Sequence, residues 1–337
     1  MAIIEARGLA RTFRGQGGTV EAVRGVDLDV QAGEIVGFLG TNGAGKTTTL
    51  RMLTTLLAPT GGSATVAGAD LIREPGAVRR RIGYVAQSTG AHPDFTVFEE
   101  LLTQGRLYRM RPAEARRRAV EASRRLDLQE LHGRQVRSLS GGQRRRLDVA
   151  LGLVHGPPLI FLDEPSTGLD PQSRRTLWDL VARLRAESGT TIFLTTHYLQ
   201  EADALCDRIL VMDRGRIVAA GTPEELKQRL SGDVITVALV REDPAAHAAI
   251  RALPGVSHVT RDDRTLRLTA GNGAQVLFAV IRALGDAGVA VQGVQIERPT
   301  LDDVFHALTG QPREGGADHD RTVDRSQAQG VRDGVRL

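Results

Sequence analysis

The chain has 337 residues, a hydrophobic fraction of 41% and a charged fraction of 25%, which are ordinary values for a globular protein with room for two domains. Apolar runs such as Leu159–Leu162 are far shorter than the roughly 20 residues that cross a bilayer, and Met1–Glu5 does not begin a secretory signal. We therefore expect a cytoplasmic protein that reaches a membrane only by docking. The single cysteine, Cys206, excludes an internal disulfide and a thiolate metal cluster.

The net charge of +4 is mild for this length, and only Lys46 and Lys227 of the 44 basic residues are lysines. The three arginine clusters lie in helical patterns, and we interpret each as a solvated helix face: Arg79–Arg81, Arg116–Arg118 and Arg144–Arg146. Aromatic residues make up 4% of the chain, too few for a surface that stacks on nucleic-acid bases. No nucleic-acid partner is therefore expected.

The N-terminal third alternates between strand and turn signals. Ile3–Phe13 and Ala22–Val30 predict antiparallel strands joined by the glycine-rich turn Gly15–Gly18. Glu34–Gly40 is apolar enough for a strand buried on both faces, and a helix is predicted over Thr47–Leu57. A short hairpin around Ser63–Gly68 and a strand over Ile82–Ala86 follow.

Helical periodicity dominates the next segment, from about residue 96 to residue 139. The predicted helices there are Val97–Tyr108, Ala113–Leu126 and Leu128–Leu131. Strand and helix signals then alternate again, with strands at Leu159–Leu162, Thr191–Thr195, Arg208–Asp213 and Arg216–Gly221, and helices at Arg174–Glu187 and Gln200–Leu205. This order predicts a P-loop α/β core that carries an antiparallel β subdomain and a helical subdomain.

A second unit is predicted after residue 231. Its six segments have the order β, α, β, β, α, β, which favours a small α+β, ferredoxin-like module. They are Val234–Val240, Pro244–Leu253, Val256–Arg261, Thr265–Ala270, Ala274–Gly288 and Val289–Glu297, with a short helix at Leu301–Leu308. We place the domains at 1–231 and 232–310, and we expect 311–337, which nearly lacks large apolar residues, to be a disordered tail.

A phosphate-binding motif lies between a predicted strand and a predicted helix. Residues 40–47 match G-x-x-x-x-G-K-[ST], whose glycines turn backbone N–H groups around phosphate oxygens. The motif predicts that Lys46 neutralises the β- and γ-phosphates and that Thr47 ligates Mg²⁺. The nucleotide-binding residues predicted here are Gly40, Asn42, Gly43, Ala44, Gly45, Lys46, Thr47 and Thr48.

Two further segments point to the same chemistry. Asp163 and Glu164 end an apolar strand, where Asp163 is predicted to hold Mg²⁺ and Glu164 to polarise the water that attacks the γ-phosphate. Ser140, Gly141, Gly142 and Gln143 open a helix with a hydroxyl and free N–H groups, which predicts a second anion site.

Taken together, these motifs resemble the nucleotide-binding domain of ABC transporters over residues 3–230. The resemblance implies that Leu139–Gln143 is the signature motif and that Thr167–Asp170 is the D-loop, with Asp170 at the nucleotide. It further implies that Gln87 meets Mg²⁺ and the membrane partner and that His197 contacts the γ-phosphate. Phe13 corresponds to the aromatic that stacks on adenine, where the family more often has tyrosine.

The C-terminal segment Glu297–Phe305 is similar to that of the daunorubicin-resistance type of ABC ATPase. This resemblance implies a separate membrane permease, export of a hydrophobic antibiotic, and a dimer or regulatory role for the segment. The alternative is a capped helix that packs Leu301, Val304 and Phe305 into its own module.

Each chain has one P-loop and one signature motif, and the resemblance implies that two copies close over ATP and Mg²⁺ at the cytoplasmic face of the membrane. Two other classes stay open at this point: a soluble ABC-type ATPase acting on nucleic acid or ribosomes, and a small-molecule P-loop kinase. The former usually contains long coiled coils, zinc modules or two fused ATPase domains, and the latter needs neither a signature motif nor a switch histidine.

Overall fold

The computed structural model describes residues 1–15, 18–87, 90–228, 232–241, 244–251, 253–297 and 300–309. The predicted tail and the dipeptide Arg298–Pro299 lie outside these residues. Across the described part of the chain, no helix combines the length and the apolar character that a bilayer crossing requires.

A parallel sheet forms the centre of the N-terminal domain. Its strand order is β10-β9-β3-β8-β7-β6, and all contacts are parallel except the β9–β10 hairpin. The strands are β3 (Ile35–Gly40), β6 (Ile82–Val85), β7 (Leu159–Asp163), β8 (Thr191–Thr196), β9 (Arg208–Asp213) and β10 (Arg216–Gly221). Every residue of β3, β7 and β8 is buried, as expected for strands covered on both faces.

An antiparallel sheet of order β2-β1-β4-β5 forms the predicted β subdomain. Its strands are β1 (Ala2–Gly15), β2 (Gly18–Gln31), β4 (Gly61–Val66) and β5 (Ala69–Asp70). Its inward side chains share a hydrophobic core with one face of the parallel sheet, so the two sheets form one domain.

The helices of the N-terminal domain agree with the prediction except at some ends and except for α2, of which only the run Arg79–Arg81 was assigned to a helical pattern. They are α1 (Lys46–Leu53), α2 (Pro75–Arg81), α3 (Val97–Leu107), α4 (Pro112–Arg125), α5 (Gly141–Leu153), α6 (Pro171–Ser188), α7 (Leu199–Leu205) and α8 (Pro223–Gln228). The prediction that the first helix reaches Leu57 was wrong, because Thr55 has a left-handed φ of 64° that ends the helix. The predicted helix at Leu128–Leu131 is a single 3₁₀ turn.

The C-terminal module has the predicted order of elements. Its strands and helices are β11 (Asp233–Leu239), α9 (Pro244–Arg251), β12 (Val256–Asp262), β13 (Thr265–Ala270), α10 (Gly273–Asp286) and β14 (Val291–Glu297). The strands pair antiparallel in the order β12-β13-β11-β14, which is the arrangement of a ferredoxin-like fold. The module has a hydrophobic core of its own.

The last helix, α11 (Leu301–Thr309), packs onto the N-terminal domain and not into the C-terminal module. Leu301 and Val304 are 4% and 3% exposed, and they belong to the same hydrophobic core as the helical subdomain and the inner strands. The helix contacts α7 and α8. The alternative that these residues pack into their own module was therefore wrong.

Candidate active site

The P-loop joins the end of β3 to α1 through a tight glycine turn. Gly43 and Gly45 have φ values of 83° and 108°, a region that favours glycine. A Cβ atom at Gly45 would lie 2.5 Å from the carbonyl oxygen of Ala22 in β2. The turn therefore requires glycine, and it leaves a cradle of backbone at the N-terminus of α1, which suits a phosphate.

Lys46 is 5% exposed and lies inside this turn. Its Nζ donates hydrogen bonds to the carbonyl oxygens of Gly40 at 2.6 Å and Thr41 at 3.1 Å. Burial lowers the pKa of Lys46, while the nearby carboxylates of Glu164 and Asp163 act in the opposite direction. The structure thus brings the P-loop lysine close to both predicted acids.

Asp163 and Glu164 leave the end of β7 beside the end of β8, so both acids reach the same edge of the sheet. Asp163 is 5% exposed and accepts a hydrogen bond of 2.6 Å from the hydroxyl of Thr195. The backbone N–H of Glu164 donates to the carbonyl oxygen and the hydroxyl of Thr195, each at 3.0 Å. One threonine therefore holds the carboxylate of Asp163 and the backbone of Glu164.

The Glu164 carboxylate contacts two of the other predicted catalytic residues, Gln87 and His197. Its Oε2 accepts hydrogen bonds from Gln87 Nε2 at 3.4 Å and from the Thr167 hydroxyl at 3.1 Å. The same oxygen lies 3.3 Å from Nδ1 of His197, whose side chain is 41% exposed. Residues from three separate loops thus converge on one carboxylate that is 14% exposed.

Arg145 corrects one sequence prediction. The cluster Arg144–Arg146 was interpreted as a solvated face, but Arg145 is 6% exposed. Its guanidinium donates hydrogen bonds to the carbonyl oxygens of Pro165 at 2.8 Å, Ala86 at 2.6 Å and Asp163 at 3.0 Å. It therefore ties the strand ends that carry Gln87 and Glu164 to the signature helix α5.

Sequence reasoning missed Thr195 and Arg145, and it placed Thr167 in the D-loop without predicting its contact with Glu164. Thr195 lies two residues before His197, and Thr167 lies three residues after Glu164. Proximity to these predicted catalytic residues was therefore a usable signal for both threonines. Arg145 had no such signal, because the sequence does not show which member of an arginine run faces the interior.

The signature residues Ser140 to Gln143 form the start of α5 and hydrogen-bond within it. The Ser140 hydroxyl accepts from the Gln143 N–H at 3.3 Å, and the Gln143 side chain accepts from the Ser140 N–H at 3.0 Å. A Cβ on Gly142 would lie 2.6 Å from Oγ of Ser173, so the starts of α5 and α6 are in close contact.

Asp170 caps the N-terminus of α6. It accepts hydrogen bonds from the N–H and the hydroxyl of Ser173 at 2.9 and 2.6 Å, which hold its pKa below the usual value. Asp170 is therefore adjacent to the signature turn, and its predicted role at the nucleotide stays a prediction.

Phe13 lies on the β1–β2 hairpin opposite Val20 and is 40% exposed. The guanidinium of Arg11 lies 4.8 Å from the centre of its ring. The same hairpin reaches the P-loop through the contact between Ala22 and Gly45 described above. An exposed aromatic ring on a hairpin that touches the P-loop at Ala22 is compatible with the predicted adenine contact.

The oxygen donors near the P-loop fit a hard divalent cation. Thr47 lies in the first turn of α1, and the Asp163 carboxylate and the Gln87 amide lie at the adjacent strand ends. Within the described residues, no group of three His, Cys, Asp or Glu side chains is arranged to hold a metal ion. This donor set suits a cation such as Mg²⁺, which binds one or two carboxylates together with phosphate oxygens.

A parallel sheet with a P-loop after β3, a buried lysine in that loop and two acids after β7 at the same edge of the sheet defines the class of P-loop ATPases. The family model for ABC transporters matches residues 23–167. A second model, described as the C-terminal domain of DrrA1-3-like ATP-binding proteins, matches residues 221–309.

The curated relatives match over most of the chain. The chain is 46% identical to the daunorubicin resistance ATP-binding protein DrrA3 of Streptomyces coeruleorubidus, over 88% of this chain and 93% of that protein. It is 43% identical to the daunorubicin/doxorubicin resistance ATP-binding protein DrrA of Streptomyces peucetius, over 92% and 93%. It is also 39% identical to the Nod factor export ATP-binding protein I of Cupriavidus pinatubonensis, over 89% and 90%.

Solved structures share the fold of the ATPase domain. A dimeric ATP-binding cassette in a post-hydrolysis state, bound to ADP and Pi, is 27% identical with a TM-score of 0.59, covering 65% of this chain and 98% of that one. The cbiO1 component of a Clostridium perfringens ABC transporter is 28% identical with a TM-score of 0.61, covering 67% and 90%. This chain belongs to the ABC transporter family as an ATP-binding, ATP-hydrolysing subunit.

Proposed function

We propose that the chain binds a separate integral-membrane permease at the cytoplasmic face of the membrane and powers export of a hydrophobic compound. An anthracycline-like antibiotic is the proposed cargo class. The names of the resistance relatives support this assignment, and so does the similarity of the C-terminal module to theirs. The observation that carries the ATPase part is the convergence of Gln87, Thr167 and His197 on the Glu164 carboxylate.

The chain's own residues supply the hydrolytic steps. Lys46 and the backbone of the P-loop hold the β- and γ-phosphates, and Glu164 accepts the proton of the attacking water. Gln87 and His197, which already contact Glu164, orient that water and the γ-phosphate. Mg²⁺ held by Thr47, Asp163 and Gln87 would neutralise charge on the phosphate oxygens.

We further propose that the working ATPase is a homodimer. The signature residues Ser140 to Gln143 form hydrogen bonds within their own helix and present the N-terminus of α5, which is an anion-binding end. In a pair of chains, this end would meet the phosphates held by Lys46 of the other copy. The two half-sites would then share the γ-phosphate, so its hydrolysis would release them.

Substitutions at Lys46 and Glu164 test the catalytic assignment. We expect Lys46→Ala to weaken nucleotide binding and Glu164→Gln to bind ATP but to lower kcat by about 100-fold or more, because the catalytic base is lost. Lys227→Ala is the matched control, since it removes the chain's other lysine, which pairs with Asp203 and Glu224 in α7 and α8. Phosphate release and binding of a fluorescent ATP analogue measure the two effects.

Parental turnover by Glu164→Gln would remove Glu164 from the catalytic role. The same variants, co-expressed with a candidate permease from the same genome, test export through intracellular accumulation of a fluorescent anthracycline. Equal accumulation in cells with the parental chain and with Lys46→Ala would contradict the transport proposal without affecting the ATPase assignment.

A further inference from the structure

A buried carboxyl group lies behind the active site and has no part in the proposed mechanism. Glu201, in α7, is 0% exposed, and burial raises its pKa. Its Oε1 accepts a hydrogen bond from the hydroxyl of Ser166 and another, at 3.0 Å, from the indole N–H of Trp178 in α6. The same N–H lies 3.1 Å from Oγ of Ser166, so the three side chains form one closed cluster.

The cluster joins two segments that carry catalytic residues. Ser166, itself 0% exposed, lies two positions after Glu164 in the loop that leads to Asp170. Glu201 lies four positions after His197, in the first turn of α7. At the strand ends, Thr195 already joins β8 to Asp163 and to the N–H of Glu164. The cluster adds a second connection further along both segments, between Ser166 and Glu201.

A second contact between the same segments runs parallel to the first. The guanidinium of Arg174, in α6, donates to the carbonyl oxygen of Leu169 at 3.3 Å and lies 4.2 Å from the ring centre of Tyr198. The Tyr198 ring packs on the His197 imidazole, with a centroid distance of 4.2 Å. Both contacts therefore connect the loop after Glu164 to the segment around His197 through α6.

The cluster is costly for stability alone. A buried carboxyl group loses its hydration, and for Glu201 this desolvation outweighs the hydrogen bonds from Ser166, Thr196 and Trp178 in its effect on the pKa. Apolar side chains of similar size would fill the same space without this desolvation. A polar cluster at this place is therefore better explained by the geometry it enforces than by the energy it contributes.

We propose that Glu201 is a positioning residue for ATP hydrolysis, which holds the loop of Glu164 and Ser166 at a fixed distance from the segment of His197. The proposal rests on the proposed roles of Glu164 and His197. Nucleotide binding depends on the P-loop, which is a different part of the sheet edge, so loss of the cluster acts on kcat and leaves KM almost unchanged.

Two substitutions at Glu201 separate geometry from charge. Glu201→Gln keeps an oxygen that accepts from Ser166 and Trp178, and we expect it to keep kcat within about two- to threefold of the parent. Glu201→Ala removes the acceptor, and we expect kcat to fall by about 10- to 100-fold with KM within about threefold, because small displacements of catalytic groups cost rates of this order. If Glu201→Ala does not fold, Ser166→Ala takes its place in the test. It removes a single hydroxyl, so we expect it to lower kcat by a smaller factor than the loss of the carboxyl group.

Leu184→Ala is the control for a purely structural effect. Leu184 is buried in the same helix α6 and lies outside the cluster, so its truncation destabilises the domain without touching the active site. If Glu201→Ala and Ser166→Ala lower the melting temperature as Leu184→Ala does but keep parental kcat, the positioning role is wrong. The parental chain and Glu164→Gln are assayed in the same series. If Glu164→Gln hydrolyses ATP at the parental rate, the proposed catalytic role of Glu164 is wrong, and that result is distinct from a failure of the positioning role of Glu201.

Discussion

At the scale of single residues, Glu164, in the loop after β7, has the most restricted conformation of the predicted catalytic residues. This residue has a φ of 45°, in the left-handed region that a glutamate rarely adopts, and its N–H is fixed by Thr195. Such backbone conformations persist where surrounding contacts enforce them, and they cluster at functional sites. The sequence predicted the carboxylate and its role, but its conformation depends on contacts with β8 that are distant in the sequence.

His155, next to the end of α5, should make stability depend on pH. Its imidazole stacks on Tyr108 with a centroid distance of 3.8 Å, and burial lowers its pKa to about 4. The unfolded chain, with a histidine pKa near 6.5, binds the proton first as the pH falls. We therefore expect this residue to reduce the free energy of unfolding by about 1 to 3 kcal/mol between pH 6.5 and pH 4.

Urea unfolding at several pH values, with the parent and His155→Gln, measures that contribution. The difference between the two proteins isolates His155 from the carboxyl groups that titrate in the same range. His258→Gln is the matched control, because His258 lies exposed on β12. A pH dependence that is the same in His155→Gln and in the parent would contradict the expectation.

At the scale of secondary-structure elements, α11 connects the end of the described chain to the ATPase domain. Leu301→Ala removes a side chain that is 4% exposed in the core shared with α7 and α8, and we expect a loss of about 2 kcal/mol in the stability of that domain. Trp178 is the only tryptophan and lies in α6, so its fluorescence follows the unfolding of the ATPase domain alone.

Leu266→Ala provides the comparison for this prediction. Leu266 is equally buried but belongs to the core of the C-terminal module. We expect Leu266→Ala to lower the urea concentration at which the C-terminal module unfolds, measured by circular dichroism. The urea concentration of the Trp178 fluorescence transition should change less. If Leu301→Ala leaves the Trp178 transition at the parental urea concentration, α11 does not stabilise the ATPase domain.

Most elements were predictable from the sequence because each has a local signal. The buried strands β3, β7 and β8 are continuous apolar runs, and the order of the C-terminal module follows from hydrophobic periodicity. The docking of α11 had no local signal, because Leu301 and Val304 would be apolar on either surface. The buried position of Arg145 had no local signal either, because its hydrogen-bond partners are 18 to 59 residues away in the sequence.

At the scale of the whole molecule, the proposed dimer makes a prediction about mass. With Glu164→Gln, which holds ATP without cleaving it, we expect light scattering to show a doubling of mass when ATP and Mg²⁺ are added. The shared γ-phosphate is the reason, so ADP should not produce the change. The double variant with Lys46→Ala should stay monomeric.

A Glu164→Gln protein that remains monomeric with ATP, alone and with the co-purified permease, would contradict the homodimer. A dimer that forms equally with ATP, with ADP and without nucleotide would show an interface independent of the phosphate. Either result would leave the assignment of the ATPase site to Lys46 and Glu164 intact, because turnover measures that assignment separately.

The return of α11 has a mechanical consequence for the C-terminal module. A module joined to its neighbour by one linker turns about that linker, whereas one anchored at both chain ends follows every displacement of its support. Here α8 precedes the module in the sequence, and α11, which follows the module, packs against α7 and α8. A rotation of α7 that accompanies movement of the adjacent His197 would therefore also displace α11, the helix that follows the ferredoxin-like module.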